Sequence, residues 1–142
     1  MSSDSRFNVL LVEDDDVAAE AVVRGLQKHG CQCSVVPAED GSSALRILRG
    51  QDAQRQIAKP FVVLLDLNMP RMSGVEFLRE LRADAELRST VVFVLTTSGT
   101  DADKASAYQQ NVAGYMVKSA VGPQFSGLAR FLNEYRNMVA LP

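Results

Sequence analysis

Residues 61–66 carry the sequence Phe-Val-Val-Leu-Leu-Asp, five apolar residues followed by a carboxylate. A short continuous apolar run of this kind is typical of a strand that is buried on both faces, as in a parallel sheet. It is the most apolar such run in the chain, and we therefore predict that it forms a central strand. Four further strands are predicted at 7–12, 33–36, 91–95 and 114–117.

Helical patterns separate these strands. The first helix carries its apolar residues at Val17, Ala18, Ala21, Val22 and Leu26, and Gly30 is expected to end it. The later helices are predicted at 43–48, 73–82, 101–110 and from about Pro123 to near Met138. Pro123 suits a helix start because proline lacks the N–H that the first turn leaves unpaired.

Five strand–helix units in series predict a doubly wound α/β fold with right-handed crossovers and helices on both faces of a parallel sheet. The expected strand order is 2-1-3-4-5. The length of 142 residues suits one domain spanning 1–142, with a frayed tail at 1–5 and a last helix and C-terminal tail at 123–142.

Composition excludes several classes of function. The hydrophobic fraction of 46% suits a globular protein, and the net charge of -2 gives no attraction to nucleic acid or to an acidic membrane surface. No run is long enough to span a membrane and no apolar leader is present, so we expect a cytoplasmic protein. The single histidine, His29, cannot form a histidine metal site alone, and Cys31 and Cys33 are interpreted as small core residues.

Polar residues follow four of the five predicted strands. Glu13 and Asp14 follow the first strand, Asp66 the third, Thr96 the fourth and Lys118 the fifth. Functional sites in open parallel sheets lie outside the carboxyl ends of the strands. With strands one and three adjacent, three carboxylates, a hydroxyl and an ammonium should converge there.

Three carboxylates in one cleft repel one another unless a cation lies between them. Oxygen ligands without histidine or cysteine favour Mg²⁺, which readily accepts a phosphate oxygen as a ligand. The Lys118 ammonium and the Thr96 hydroxyl can stabilise two further phosphoryl oxygens. Each residue alone is more often a cap or a solvated group, as we interpret Asp15 and Asp16, but their joint placement predicts a phosphoryl-accepting site.

Four motifs carry a family resemblance: residues 12–15 (Val-Glu-Asp-Asp), 65–74 (Leu-Asp-Leu-Asn-Met-Pro-Arg-Met-Ser-Gly), 95–97 (Leu-Thr-Thr) and 114–118 (Gly-Tyr-Met-Val-Lys). In order and spacing they resemble the receiver domain of two-component response regulators, over nearly the whole chain. The resemblance implies a flavodoxin-like receiver fold and a phosphoacceptor at Asp66 that is served by a phosphohistidine on a sensor histidine kinase.

The resemblance also implies roles for individual residues. Mg²⁺ would be bound directly by Asp14 and Asp66, through water by Glu13, and by the backbone carbonyl of Asn68. Thr96 and Tyr115 match the pair that switches on phosphorylation, in which the hydroxyl moves toward the phosphoryl group and the ring turns inward. Gly74 would permit the tight backbone after the acceptor loop.

Ser119 departs from the family pattern, which usually has proline after the active-site lysine, commonly with a cis peptide bond. A cis bond costs about 2.5–4 kcal/mol before a residue other than proline. We therefore expect a trans Lys118–Ser119 bond and a rearranged loop, which could displace the Lys118 ammonium and slow phosphorylation.

The end of the chain carries more apolar residues than one buried helix face requires. Phe125, Leu128 and Leu132 are assigned to the core, which leaves further apolar residues up to Val139-Ala140-Leu141-Pro142. Such a tail resembles those of single-domain regulators paired with bacterial phytochrome kinases, many of which are dimers. We expect a homodimer formed through the last helix and tail, with a bacteriophytochrome as a candidate kinase.

Two other functions remain open on the sequence. One is a receiver-fold scaffold whose signal does not depend on phosphorylation, which the Ser119 replacement favours and the retained site residues disfavour. The other is a phosphohydrolase of the aspartyl-nucleophile type, in which a second acid acts as general acid/base. Asn68 stands at that second position and cannot titrate, so we predict a signalling protein rather than an enzyme.

Overall fold

A five-stranded parallel sheet in the order β2-β1-β3-β4-β5 forms the centre of the computed structural model, which describes residues 7–69, 72–97 and 99–142. The strands are β1 Phe7–Val12, β2 Cys33–Ala38, β3 Phe61–Leu65, β4 Val92–Thr96 and β5 Gly114–Val117. The helices are α1 Asp16–Lys28, α2 Gly41–Leu48, α3 Gly74–Ala83, α4 Asp101–Gln109 and α5 Ser126–Met138. The predicted α/β fold and strand order are confirmed. The predicted tail at 1–5, and Pro70, Arg71 and Ser98, lie outside the described residues.

Strand β3 is central, as its apolar sequence predicts. It pairs with β1 on one side and with β4 on the other, and Val62 to Leu65 have no solvent-accessible surface. Alternate residues of the strands enter two separate cores. One core lies between the sheet and α2, α3 and α4, and the other lies between the sheet and α1 and α5.

Short polar side chains set the helix starts. Asp15 caps α1, and its Oδ1 accepts hydrogen bonds from the backbone N–H of Val17 at 2.9 Å and of Ala18 at 3.1 Å. A cap of this kind stabilises a helix by about 1 kcal/mol. Ser73 and Glu76 form a reciprocal capping box at the start of α3. Interpreting Asp15 as a cap is therefore confirmed.

The apolar residues of α1 are not all buried. Val17 is 80% exposed, and the buried residues of the helix are Val22, Gly25 and Leu26. The reason is helical geometry: Val17 lies five residues before Val22, which places it well off the stripe that Val22 and Leu26 share.

The last helix begins at Ser126 and not near Pro123, so that prediction was wrong. Pro123–Phe125 forms a 3₁₀ turn, and both Gln124 and Phe125 have positive φ values, 52° and 62°. Left-handed residues cannot continue an α-helix, which therefore starts one residue later. The core assignments in this region are confirmed for Leu128 and Leu132, which are buried, and Phe125 packs half-buried beside them.

The C-terminal tail contacts its own domain. Leu141 packs against the core between α1, α5 and the sheet, whereas Met138 and Val139 are 75% and 40% exposed. Part of the apolar excess at the end of the chain is thus used within the protomer. Across the described ranges, no helix combines the length and apolar character that crossing a membrane would need.

Candidate functional site

Three carboxylates converge at the carboxyl edge of the sheet, as the sequence predicts. The backbone N–H of Asp66 donates to the Val12 carbonyl at 3.0 Å, which places the end of β3 beside Glu13 and Asp14. One carboxylate oxygen from each of Glu13, Asp14 and Asp66 lies within 4.8 Å of the others. Glu13 is buried, Asp66 is half-buried and Asp14 is exposed, so the cluster opens to solvent on the Asp14 side.

The chemistry of this donor set fits a hard divalent cation. All three side chains offer oxygen, and the described residues contain no other group of three or more histidine, cysteine or acidic side chains placed to bind a metal. An ion of this kind would also offset the mutual repulsion of the three acids. The predicted contribution of the Asn68 carbonyl stays a prediction.

Lys118 directly follows β5 and reaches the cluster. Its Nζ donates to Glu13 Oε1 at 2.9 Å, and both side chains are largely shielded from solvent. Burial raises the pKa of Glu13, the Asp66 charge raises it further, and the hydrogen bond from Lys118 opposes both. The net effect is a pKa of Glu13 above its ordinary value, which the hydrogen bond from Lys118 reduces but does not cancel.

The peptide bond after Lys118 is trans, as the presence of Ser119 predicts, whereas a loop path different from that of the family stays a prediction. Within the described residues a cis peptide bond occurs only at Lys59–Pro60, so the Lys118–Ser119 bond is trans. Lys118–Ala120 forms one 3₁₀ turn, and Gly122 follows with φ 86°. Despite this path, the lysine ammonium remains in the acidic cluster.

Thr96 and Asn68 surround the Asp66 carboxylate. The Thr96 hydroxyl donates to Asp66 Oδ1 at 3.4 Å, and the backbone N–H of Asn68 donates to the same oxygen at 3.1 Å. The Asn68 side-chain amide in turn donates to Thr96 Oγ1 at 3.4 Å. Thr96 is fully buried, so the hydroxyl that faces Asp66 is held by the core of the sheet.

Tyr115 is turned inward. Its ring packs against the core beneath α3 and α4, and its hydroxyl is buried without a hydrogen-bond partner among the described residues. Burial, followed by the charges of Asp103 and Asp66, raises the pKa of Tyr115. The role of Tyr115 in a phosphorylation switch stays a prediction.

Two glycines shape the site, and only one was singled out from the sequence. A β-carbon on Gly74 would lie 2.6 Å from the Leu67 Cα, so the tight backbone predicted there is present. A β-carbon on Gly99 would overlap the Tyr115 hydroxyl, so the absence of a side chain at residue 99 admits the inward ring. Sequence reasoning missed Gly99 because its partner is sixteen residues away; its place in the loop after β4 was the available signal.

Comparison with known proteins agrees with this geometry. The family model of the response regulator receiver domain matches residues 9–125. The chain is 32% identical to the probable methanogenesis regulatory protein FilR2 of Methanothrix harundinacea, covering 96% of this chain and 85% of that protein. It is also 32% identical to response regulator Rcp1 of Synechocystis sp., covering 78% of this chain and 76% of that protein.

Solved structures show the same likeness. The phosphorylated cyanobacterial phytochrome response regulator RcpA has a TM-score of 0.82 at 30% identity, covering 96% of this chain and 99% of that one. The Mn²⁺-bound form of Rcp1 has a TM-score of 0.74 at 28% identity, with 96% and 99% covered. The bacteriophytochrome response regulator AtBRR has a TM-score of 0.73 at 31% identity, with 96% of each chain covered. The chain therefore belongs to the response regulator receiver domains of two-component signalling.

Proposed function

We propose that this protein accepts a phosphoryl group on Asp66 from a sensor histidine kinase and passes the signal on by protein contact. The observation that carries the proposal is the convergence of Glu13, Asp14 and Asp66 with the Lys118 ammonium and the Thr96 hydroxyl. Asp66 is the acid in this group that contacts both a hydroxyl and a backbone N–H. Its carboxylate is therefore the one whose phosphoryl oxygens would have hydrogen-bond donors at hand.

Mg²⁺ is the metal we propose for this site, held by Asp14 and Asp66 directly, by Glu13 through water and by the Asn68 carbonyl. The Mn²⁺-bound form of the relative Rcp1 supports a divalent ion. When bound, the ion would neutralise developing charge on the transferred phosphoryl group. The Lys118 ammonium would then leave Glu13 and bind a phosphoryl oxygen. The Thr96 hydroxyl would donate to a second phosphoryl oxygen and no longer to Asp66.

The ion pair with Glu13 keeps the Lys118 ammonium at the site before phosphorylation. Glu13 holds Lys118 within the cluster by a 2.9 Å ion pair before any phosphoryl group arrives. Because the ammonium is already shielded from bulk solvent, little further desolvation is needed when it turns to the phosphoryl oxygen. A pair made by long surface side chains would offer no such advantage.

The partners we propose follow from the relatives. RcpA and AtBRR are described as phytochrome and bacteriophytochrome response regulators, which supports a bacteriophytochrome kinase in the cytoplasm as the phosphodonor. We also propose a homodimer through the last helix and tail, supported by the exposure of Phe131, Met138 and Val139. A sedimentation mass of one chain at micromolar concentration would count against that dimer.

A signalling role is favoured over enzymatic turnover of external substrates. Aspartyl-nucleophile hydrolases have a second acid at the position that Asn68 occupies here. The Asn68 side chain cannot titrate and therefore cannot act as a general acid or base. The competing scaffold, which signals without phosphorylation, rests on Ser119. The Lys118 ammonium stays in the cluster despite Ser119, which supports signalling that depends on phosphorylation.

Intact mass after incubation with Mg²⁺ and acetyl phosphate tests the proposal. We expect one phosphoryl adduct on the wild type, no adduct on Asp66→Asn, and an unchanged adduct on the matched control Asp16→Asn, whose carboxylate lies outside the cluster. Ser119→Pro should label faster if the loop limits the reaction. Absence of an adduct in every variant, together with absence of Mg²⁺ binding, would favour the scaffold.

A further inference from the structure

Two cysteines lie side by side at the junction of α1 and β2, at the opposite end of the strands from the acidic cluster. The Cys31 thiol donates to the sulfur of Cys33, and the two Sγ atoms are 2.8 Å apart. A disulfide bond is about 2.05 Å long, so a small movement brings the sulfurs to bonding distance. We propose that Cys31 and Cys33 form a thiol–disulfide exchange site that reacts with low-molecular-weight disulfides such as oxidised glutathione.

The fold holds the two thiols in this arrangement. The side-chain amide of Asn133 in α5 donates to the Gly30 carbonyl at 2.9 Å and accepts from the Gln32 N–H at 2.9 Å. One side chain thereby fixes the backbone on both sides of Cys31. Cys33 is the first residue of β2 and is fixed by pairing with β1. Proximity of the sulfurs is thus a property of the folded chain and not only of their short sequence separation.

A small disulfide can reach the pair. Both cysteines line a surface pocket of about 260 Å³, whose other walls include Val23 and Leu26 of α1. Both are half-buried, and β2 is an edge strand of the sheet. The thiols therefore combine a fixed geometry with access from solvent, which buried structural cysteines lack.

The pKa of Cys31 separates the roles of the two thiols. The two sulfurs are joined by a hydrogen bond at 2.8 Å. The same hydrogen bond, followed by burial, raises the pKa of Cys31 far above that of an ordinary thiol, and the Arg136 charge opposes this only in part. Cys33 is thus the attacking thiolate, and Cys31 is the resolving thiol that stays protonated until the second step.

The exchange proceeds in two balanced steps. Cys33 attacks one sulfur of the small disulfide, whose S–S bond breaks, and one small thiolate leaves. Cys31 then attacks the Cys33 sulfur, forms the Cys31–Cys33 disulfide and releases the second small thiol, while its proton goes to a departing thiolate. Overall, two protein thiols lose two electrons and two protons, and one small disulfide gains them as two thiols. An excess of small thiol reverses the reaction.

Intact mass of the full chain in oxidised and reduced glutathione buffers, after acid quenching, tests the proposal. We expect the wild type to lose two hydrogens without accumulating a glutathione adduct. Cys31→Ser should retain one glutathione on Cys33, and Cys33→Ser should stay unmodified over the same time. A wild type that loses no hydrogens, or a Cys33→Ser variant that is glutathionylated at the wild-type rate, would overturn the proposal.

A second measurement tests whether the fold, and not only the short sequence separation, brings the two sulfurs together. The equilibrium constant for disulfide formation against glutathione should be larger in the folded chain than in urea, on the order of tenfold. Asn133→Ala should lower the constant of the folded chain, whereas Asn137→Ala, an exposed position of the same helix, should leave it unchanged. Equal constants in folded and unfolded chains would show that the structure does not organise the pair, and would overturn the proposal.

Discussion

The carboxylates of Glu13, Asp14 and Asp66 repel one another wherever no cation lies between them. Asp14→Asn should therefore raise the free energy of unfolding in the absence of divalent metal, by about 0.5–1 kcal/mol. With Mg²⁺ at 100 times its dissociation constant, the wild type should gain about 2.7 kcal/mol, and the variant much less because it lacks a ligand. Urea unfolding with Mg²⁺ and with EDTA measures both effects.

The control for these two opposite effects is Glu20→Gln. Glu20 is an exposed acid outside the cluster that pairs with Arg24. The response of this variant to Mg²⁺ should equal that of the wild type. If Asp14→Asn were destabilised to the same extent with and without Mg²⁺, the three acids would not form a common metal site.

Gly99 governs the position of the Tyr115 ring, because a β-carbon there would overlap the ring hydroxyl. Gly99→Ala should lower the free energy of unfolding by about 1–3 kcal/mol, the usual range for overpacking. In a Tyr115→Ala background most of this loss should disappear, since the overlapping group has been removed. A double-mutant cycle by urea unfolding measures the coupling, and additive losses would refute the contact.

Among the elements, the contact between α1 and the 118–125 segment connects the helix to the active-site lysine. The Gln124 carbonyl lies against Gly25, where a β-carbon would overlap it, and Lys118 begins the same segment. Helix propensity alone predicts that Gly25→Ala stabilises the protein by about 1 kcal/mol. The contact predicts the opposite: lower stability, and slower labelling of Asp66 by acetyl phosphate because Lys118 is displaced.

A Lys118→Ala background distinguishes these explanations. If Gly25 acts through the lysine, Gly25→Ala should slow labelling in the wild type and have no further effect once Lys118 is absent. Ala21→Gly, at an exposed position of the same helix, controls for helix propensity and should change stability without changing the labelling rate. Equal slowing in both backgrounds would show that the helix contact does not act through Lys118.

The end of β2 is joined to the 51–60 segment by Arg55, which contacts Glu39 at 2.6 Å and the Pro37 carbonyl at 3.1 Å. The Arg55 hydrogen bond is the main reason that the pKa of Glu39 is lowered from 4.5 to about 2. Because the folded-state pKa is depressed, the pair stabilises the fold above pH 4.5, and this stabilisation is lost as the pH falls toward 2. The pair is solvent-exposed, so its contribution should stay below about 1 kcal/mol.

Urea unfolding of Glu39→Gln beside the wild type, across this pH window, checks the sign. The wild type should be the more stable protein near neutral pH, and the difference should shrink as the pH approaches 2. A difference that is constant across the window would show that it arises from packing and not from the ion pair.

For the molecule as a whole, the elements that depend on local pattern were predictable and those that depend on distant partners were not. The apolar run at 61–65 identified the central strand because burial on both faces demands it. The acidic cluster followed from strand order, since parallel strands end at the same edge. The left-handed pair Gln124 and Phe125 could not be foreseen, because Pro123 favours a helix start and the packing on Gly25 is not local.

The two cysteines make the same point at another site. Both pack against the core formed with α1 and α5, as the interpretation as small core residues expected, but nothing local signals the hydrogen bonds with Asn133, about a hundred residues later, that fix the backbone around Cys31. Long-range contacts of this kind also decide the position of Lys118, which stays in the cluster although Ser119 replaces the usual proline. Side-chain geometry set by tertiary packing is therefore where sequence patterns carried the least information.

The central claim is that Asp66 carries the phosphoryl group, and direct identification of the modified residue tests it most directly. After incubation with Mg²⁺ and acetyl phosphate, borohydride reduces an aspartyl phosphate to homoserine, which peptide mass spectrometry locates. We predict homoserine at residue 66 in the presence of Mg²⁺ and none after chelation. Homoserine at Asp14 or at any other acid, or none at residue 66 with Mg²⁺ bound, would contradict the account.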